Sequence, residues 1–293
     1  MSTIKKYINY WFKRILIDFF NLIKIDSNQK DKLIKIYESF FRVHPKDRLR
    51  SALRAGYKIH GQMLLYDSYK GIGNKFLNYF IKYGNLKPHE KVLDIGCGPG
   101  RNAYALTKYI TSGSYEGVDI VAPAIKFCKS TFTPNYPNFH FHIADIYNKW
   151  YNPKGKIKAS NYRFPFKNES FDFIFLTSVF THMLPKDIEN YFSEISRLLR
   201  KNGRCAITFF LIKTLSLDTI NEKLNILNFK YKYEGYYTTN KDNPEMAVGY
   251  DEIDVRTFFK KYSLNIIEPI HFNVNIRNKE ITSYQDIIIA TKL

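Results

Sequence analysis

Val92-Leu93-Asp94-Ile95-Gly96-Cys97-Gly98-Pro99-Gly100 decides the fold. Its apolar start suits a short strand buried on both faces. The run then opens into a loop, Asp94-x-Gly96-x-Gly98-x-Gly100, whose glycines let the backbone turn sharply and approach a ligand with no Cβ in the way. The next residues, through Tyr109, read as a helix whose first N–H groups have no partner inside the helix. A dinucleotide fingerprint places its third glycine three positions after the second. Here that position is Arg101, the third glycine is Gly100, and an acid precedes the loop. An acid there opposes a pyrophosphate and favours a ligand with an ammonium group, so NAD is the weaker reading.

Downstream, strands and helices alternate. Strands are predicted at Tyr115–Ile120, Phe139–Ala144, Phe171–Thr177 and Arg204–Phe210, with helices at Ala122–Cys128 and Lys186–Leu199. A helical stretch, Asn74–Tyr83, precedes them, and a last strand, Ser283–Thr291, carries the run Ile287-Ile288-Ile289-Ala290 of a doubly buried strand. This alternation implies an α/β, doubly wound, mainly parallel sheet. Asp119 ends the second strand, where a carboxylate can accept ribose hydroxyls, and Asp145 ends the third, where it can accept from an adenine amino group. Ligands of open α/β sheets bind at the carboxyl ends of strands, so Asp94, Asp119, Asp145 and Thr177 are expected to line one crevice.

This constellation resembles the class I S-adenosylmethionine-dependent methyltransferases, most strongly from Val92 to Phe210. The resemblance implies a Rossmann-like sheet of seven strands and S-adenosyl-L-methionine as cofactor. Gly96, Gly98 and Gly100 would cradle its methionine part, Asp119 would hold the ribose, Asp145 would meet the adenine, and Cys97, Ile120 and Ile146 would complete the cofactor set. Phe171-Asp172-Phe173-Ile174-Phe175-Leu176 is similar to the family's fourth strand, and Lys201-Asn202-Gly203-Arg204 to its Lys-Pro-Gly-Gly turn, with Asn202 and Arg204 as departures. More narrowly, Ser178-Val179-Phe180-Thr181-His182-Met183-Leu184-Pro185, Tyr151-Asn152-Pro153 and Gln285-Asp286 resemble a bacterial subfamily associated with polysaccharide or glycolipid assembly.

A hydroxyl acceptor profits from a base near physiological pH, and histidine suits that best. His182, just past the fourth strand, is the catalytic candidate, while His140 and His142 on the third strand are read as packing or solvent-facing. The expected acceptor is a small-molecule or glycan hydroxyl. RNA or protein methylation is the runner-up, kept alive by a formal charge of +18. Against base-amine chemistry, the fourth strand ends in Thr177-Ser178-Val179-Phe180 rather than Asn/Asp-Pro-Pro-Tyr. Neither Cys97 nor Cys205 is placed for pyrimidine C5 attack. An inactive binding protein on the same fold is the other alternative. Acceptor contacts are expected from the aromatic, lysine-bearing stretch Tyr147–Phe164 and from Tyr231–Tyr250.

The 293 residues suit one large α/β domain with an extension, and 45% hydrophobic with 25% charged residues is globular composition. Three scattered cysteines with no CxxC pair argue against a disulfide scaffold and a cysteine-rich zinc site, so no metal is expected and a reducing cytoplasm is the expected compartment. No apolar run reaches the length of a spanning helix. The expected division is residues 1–65 as a basic helical extension and 66–293 as the catalytic domain. Ile4, Tyr7, Ile8, Trp11, Phe12, Ile15, Leu16, Phe19, Phe20 and Ile23 recur at helical spacing among Lys5, Lys6, Lys13, Arg14 and Lys24. Half of the net charge, +9, lies in residues 1–60. Such a helix packs on its own protein or a partner subunit, or lies on an anionic membrane surface through residues 1–25.

Overall fold

The computed structural model describes residues 66–212, 229–271 and 285–293. The expected extension, residues 1–65, lies outside the described residues, as do parts of 214–272 and the start of the last predicted strand.

The sheet is built from β1 (Lys91–Ile95), β2 (Ser114–Asp119), β3 (Phe139–Ile143), β4 (Phe171–Leu176) and β5 (Leu199–Ile212), all parallel in the order β3-β2-β1-β4-β5. Later in the chain come three short strands, β6 (Tyr231–Tyr233), β7 (Tyr236–Thr238) and β8 (Val248–Asp251). β9 (Leu264–Ile266) and β10 (Asp286–Lys292) follow. β10 runs antiparallel to β5 and is flanked by β9, which completes the seven-stranded order β3-β2-β1-β4-β5-β10-β9. The sequence reading stopped at those seven. Among the described residues the sheet has ten strands, because β5 continues to Ile212 and its last three residues pair with β8, which carries β7 and β6 beyond it.

Strand parity divides the core into two layers. Val92, Phe173, Phe175, Ala206, Ile287 and Ile289 face one way. They pack with α1 (Tyr66–Lys82), α2 (Arg101–Leu106) and α3 (Ala122–Thr131), through Phe76, Phe80, Leu106, Ile125 and Cys128. Their alternates, Leu93, Ile95, Ile174, Leu176, Ile207 and Ile288, face α4 (Pro185–Leu198) and α5 (Glu252–Lys261) through Ile188, Phe192, Ile195, Val255 and Phe259. Both faces are apolar, as a parallel sheet covered by helices requires. The binding loops therefore stand on a rigid base.

Arg204, a departure from the family turn, proves structural. Its guanidinium forks onto both oxygens of Glu90 (2.8 and 2.9 Å) and donates to the carbonyls of Gly84, Asn85 and Asp172. It thus fastens the turn after α1 to the base of β1 and β4. Both partners are nearly buried, so removing one strands the other in a poor dielectric. Arg204→Ala is expected to cost about 3 kcal/mol in urea unfolding. Arg200→Ala, which breaks the more exposed pair with Asp172, is expected to cost under about 1 kcal/mol. Equal losses would refute the anchoring role.

Candidate functional site

The loop after β1 rests on left-handed backbone. Gly96 has φ +83°, and a Cβ there would lie 2.3 Å from Cγ2 of Val179 in the turn after β4. Gly100 has φ +82° and abuts Phe132 and Cys128 of the α3 region. Only glycine meets both demands without strain. The loop is tied to the next strand as well. The N–H groups of Gly96 and Cys97 donate to the carbonyl of Val118 (2.8 and 3.0 Å). Asp119 accepts the Gly98 N–H on Oδ2 (2.7 Å) and the Val121 N–H on Oδ1 (2.8 Å). Ile120, half-buried, packs on the core between these two bonded residues.

Two expected loop residues stand differently from the sequence reading. Asp94 was expected to offer a carboxylate to an ammonium group. By parity it lies on the α1–α3 side, wholly buried, with Oδ2 accepting from the Tyr115 hydroxyl (2.7 Å) and Oδ1 without a partner. Burial pushes its carboxyl up to about 8, opposed by the Tyr115 bond, reinforced by Asp119 and opposed again by Arg101. At neutral pH it is mostly the uncharged acid. Cys97 is buried too: its N–H is spent on Val118, its carbonyl accepts from the Gly100 N–H, and its thiol and that of Cys128 both point at the Gly98 carbonyl. These bonds help set the shape of the loop.

The turn after β4 forms the opposite wall. Thr177 accepts from Nδ2 of Asn102 (2.9 Å), linking it to the start of α2. Ser178 takes φ +60°, its N–H held by Thr208 and its hydroxyl bonded to Gln285. A single helical turn, Phe180–His182, follows. His182 Nδ1 lies 3.0 Å from the carbonyl of Glu245. A carbonyl can only accept, so the neutral ring carries its proton on Nδ1 and its lone pair on Nε2. Burial lowers the pKa of His182 below the usual histidine value, with the backbone bonds at Glu245 and Met246 pulling the other way. Tyr250 donates to the Met183 carbonyl and fixes the far end of the turn.

On the third side, Asp145 is exposed two residues past β3 and accepts the Lys156 N–H (3.2 Å), while Ile146 is buried in the core. Between them and Tyr162 the chain forms a small hairpin in which Asn148 and Asn152 pair antiparallel, while Ile146 bridges Ile157 in parallel and the Tyr147 N–H donates to the Ile157 carbonyl (2.8 Å). Burial raises the Tyr151 hydroxyl, and the Asp119 charge adds to it. His140 and His142, as expected, stay out of the site, each bonded to Glu116. The structure thus brings the glycine loop, Asp119, Thr177 and His182 around the ends of β1, β2 and β4, with Asp145 at the margin. Sequence reading missed Asn102, Tyr115 and the Glu245 carbonyl. A polar residue opening a helix, a strand tyrosine and a backbone oxygen carry no pattern to find.

The residues suit S-adenosylmethionine. A side-chain-free cradle at Gly96 and carboxylate acceptors at two neighbouring strand ends match its methionine, ribose and adenine groups, and buried Oδ1 atoms of Asp94 and Asn102 have no partner. Among the described residues no cluster of His, Cys, Asp or Glu could hold a metal ion. Asp119→Ala frees the Gly98 and Val121 N–H groups, and calorimetry should show S-adenosylmethionine binding at least tenfold weaker, about 1.4 kcal/mol. For Asp94, the raised folded-state value means that its stabilising proton is fully held below the unfolded value near 3.8 and lost as pH rises through about 8. Stability relative to Asp94→Asn, which keeps an acceptor for Tyr115, should therefore fall between pH 5 and 8, with a slope of up to about 1.4 kcal/mol per pH unit. A flat difference would place a charged Asp94 in the folded state.

A family model described as a methyltransferase domain matches residues 93–207. Among curated proteins, the chain is 30% identical over 114 residues to a phthiotriol/phenolphthiotriol dimycocerosates methyltransferase of Mycobacterium tuberculosis, covering 39% of this chain and 35% of that one. It is 29% identical over 114 residues to the corresponding methyltransferase 1 of Mycobacterium ulcerans, covering 39% and 35%. The chain spans about a third of the length of these curated relatives. Among solved structures, a SAM-dependent methyltransferase from Aquifex aeolicus aligns with TM-score 0.51 at 16% identity, over 81% of this chain and 98% of that one. One from Methanosarcina mazei aligns with TM-score 0.50 at 20% identity, over 73% and 97%. Strand order, glycine loop and family match agree: residues 93–207 match a methyltransferase domain, on a sheet with the fold of the S-adenosylmethionine-dependent methyltransferases aligned above.

Proposed function

We propose that this protein binds S-adenosyl-L-methionine and transfers its methyl group to a hydroxyl of a small-molecule, saccharide or glycolipid acceptor, with His182 as the general base. The single observation that carries the reading is the Nδ1 contact of His182 with the Glu245 carbonyl, beside a turn whose Val179 touches the glycine loop. That contact sets the tautomer, leaves Nε2 basic, and does so one helical turn from the cofactor cradle. When bound, the cofactor supplies a methyl group already activated on a sulfonium. The chain's own work is then positional. The glycine loop and Asp119 hold the cofactor end, the Thr177–Val179 turn closes the wall between cofactor and acceptor, and His182 receives the hydroxyl proton at Nε2 as the oxygen attacks. Its partly buried setting keeps the ring neutral at physiological pH, as a base must be.

The aromatic and basic residues of 147–164 fit an acceptor with apolar or pyranose faces and anionic groups. A glycan or glycolipid acceptor is supported further by the subfamily resemblance around His182. None of the described helices is long and apolar enough to cross a membrane. A cytoplasmic enzyme held at the inner membrane surface by residues 1–25 completes the proposal. It is testable by liposome sedimentation, where loss of those residues should abolish binding to anionic lipid.

His182→Ala is expected to lower kcat by 10² to 10⁴, with the dissociation constant for S-adenosylmethionine unchanged by calorimetry. The acid limb of kcat/KM should lie below pH 6.5, because a protonated ring cannot accept and its folded value is lowered from 6.5. Retained turnover in the variant removes His182 from catalysis. No cofactor binding by the wild type would leave a binding protein on a methyltransferase fold.

A further inference from the structure

Between Asp145 and Tyr162 the chain exposes side chains that soluble surfaces normally cover. Trp150 is 55% exposed, Tyr147 49%, Tyr151 44% and Ile157 39%. Four lysines, Lys149, Lys154, Lys156 and Lys158, alternate with them, and no acid occurs from Ile146 to Asn168. The hairpin is held in shape. Asn148 Oδ1 accepts the N–H groups of both Trp150 and Tyr151 (3.0 and 2.9 Å), and Asn152 Nδ2 donates to the Ile146 carbonyl (2.9 Å). Lys149 lies 5.4 Å from the centre of the Trp150 ring and reaches Asn243 on the segment that holds His182. On that segment Met246 is 54% exposed. The indole is therefore presented by fixed backbone at the rim of the site, with cations on either side.

From this geometry we infer that the Tyr147–Lys158 hairpin docks on an anionic lipid bilayer, setting the mouth of the catalytic site against the headgroups. Tryptophan and tyrosine favour the boundary between headgroups and acyl chains, and lysines beside them meet the negative surface. Exposed Ile157 and Met246 have a place in hydrocarbon and none on a hydroxylated sugar ring. The fixed backbone lowers the ordering cost of insertion. The surface is distinct from the amphipathic pattern of residues 1–25, and its position beside Asp145 and the Glu245–His182 contact brings acceptor hydroxyls from the membrane side. That last consequence rests on the methyl-transfer reading; the docking itself does not.

The chain has two tryptophans, Trp11 and Trp150, so the full-length Trp11→Phe protein reports on the hairpin alone. Without cofactor or acceptor, vesicles of phosphatidylcholine with phosphatidylglycerol should shift its emission to the blue, and dibromo-phosphatidylcholine should quench it. Pure phosphatidylcholine should do neither. Lys154→Gln with Lys156→Gln should weaken the response at least about tenfold, since each lysine near the surface adds to the attraction. Three results would overturn the inference. One is emission unchanged in vesicles with which the protein sediments, which assigns binding to another segment. Another is no sedimentation at all. The third is an equal shift with dextran sulfate and no bromine quenching, which assigns the hairpin to soluble polyanions. Because the readout needs no cofactor, a failure of methyl transfer leaves it standing, and its failure leaves methyl transfer untouched.

Discussion

The Asp119 carboxylate is the joint on which the site depends. A loop with three glycines at positive φ has little of its own to hold it, since glycine loses more conformational freedom on ordering than any other residue. Asp119 accepts one N–H from that loop and one from the start of the α3 region, and charge-assisted bonds of this kind are stronger than neutral ones. The carbonyl of Val118, one residue earlier, takes two more loop N–H groups. The end of β2 therefore sets the shape of the loop after β1 while presenting the acid expected to meet ribose. The bonds that shape the loop and the expected ribose contact fall to one side chain.

Three aspartates at the ends of adjacent strands come to three different states for reasons of placement. Asp94 falls on a core-facing parity of β1, loses its water and holds a proton. Asp119 ends β2 where two N–H groups converge. Asp145 lies past the last residue of the edge strand β3 and stays exposed. Identical chemistry in sequence thus becomes a neutral acid, a wired carboxylate and a solvated one. Strand parity and distance from the sheet edge decide between them.

Much of this was legible before any coordinates. The glycine loop, the alternating strands and helices, and Asp119 at a strand end carry strong local patterns, and β1 falls where its apolar run predicts. The position of Asp94 beside the loop was also legible, but its orientation was not, because alternation in a doubly buried strand leaves no polar face to read against. Arg204 looked like a defect in a familiar turn. Four of its five bonds reach acceptors 114 to 120 residues away, at Glu90, Asn85 and Gly84, and a sequence window does not see such separations. The sequence shows only an undivided helical and strand region over about 214–272 where β6 to β8 lie, because three- and four-residue strands carry too little pattern, and only the extension of β5 to Ile212 gives them an edge to join.

Those added strands bear on how the two halves of the site are controlled. The cofactor side is fixed by bonds among β1, β2 and the helix starts, inside the sheet common to the fold. The histidine side is fixed from the segment between β7 and β8, where Thr238 accepts the Asn240 N–H and donates to the Pro244 carbonyl, shaping the turn that carries Glu245. What that segment supplies to His182 is a main-chain oxygen, indifferent to the side chain at 245. The tautomer therefore tolerates substitution there, whereas a change in backbone path would move it. The segment can accordingly diverge in its side chains while the histidine keeps its tautomer, so long as the short strands hold their register.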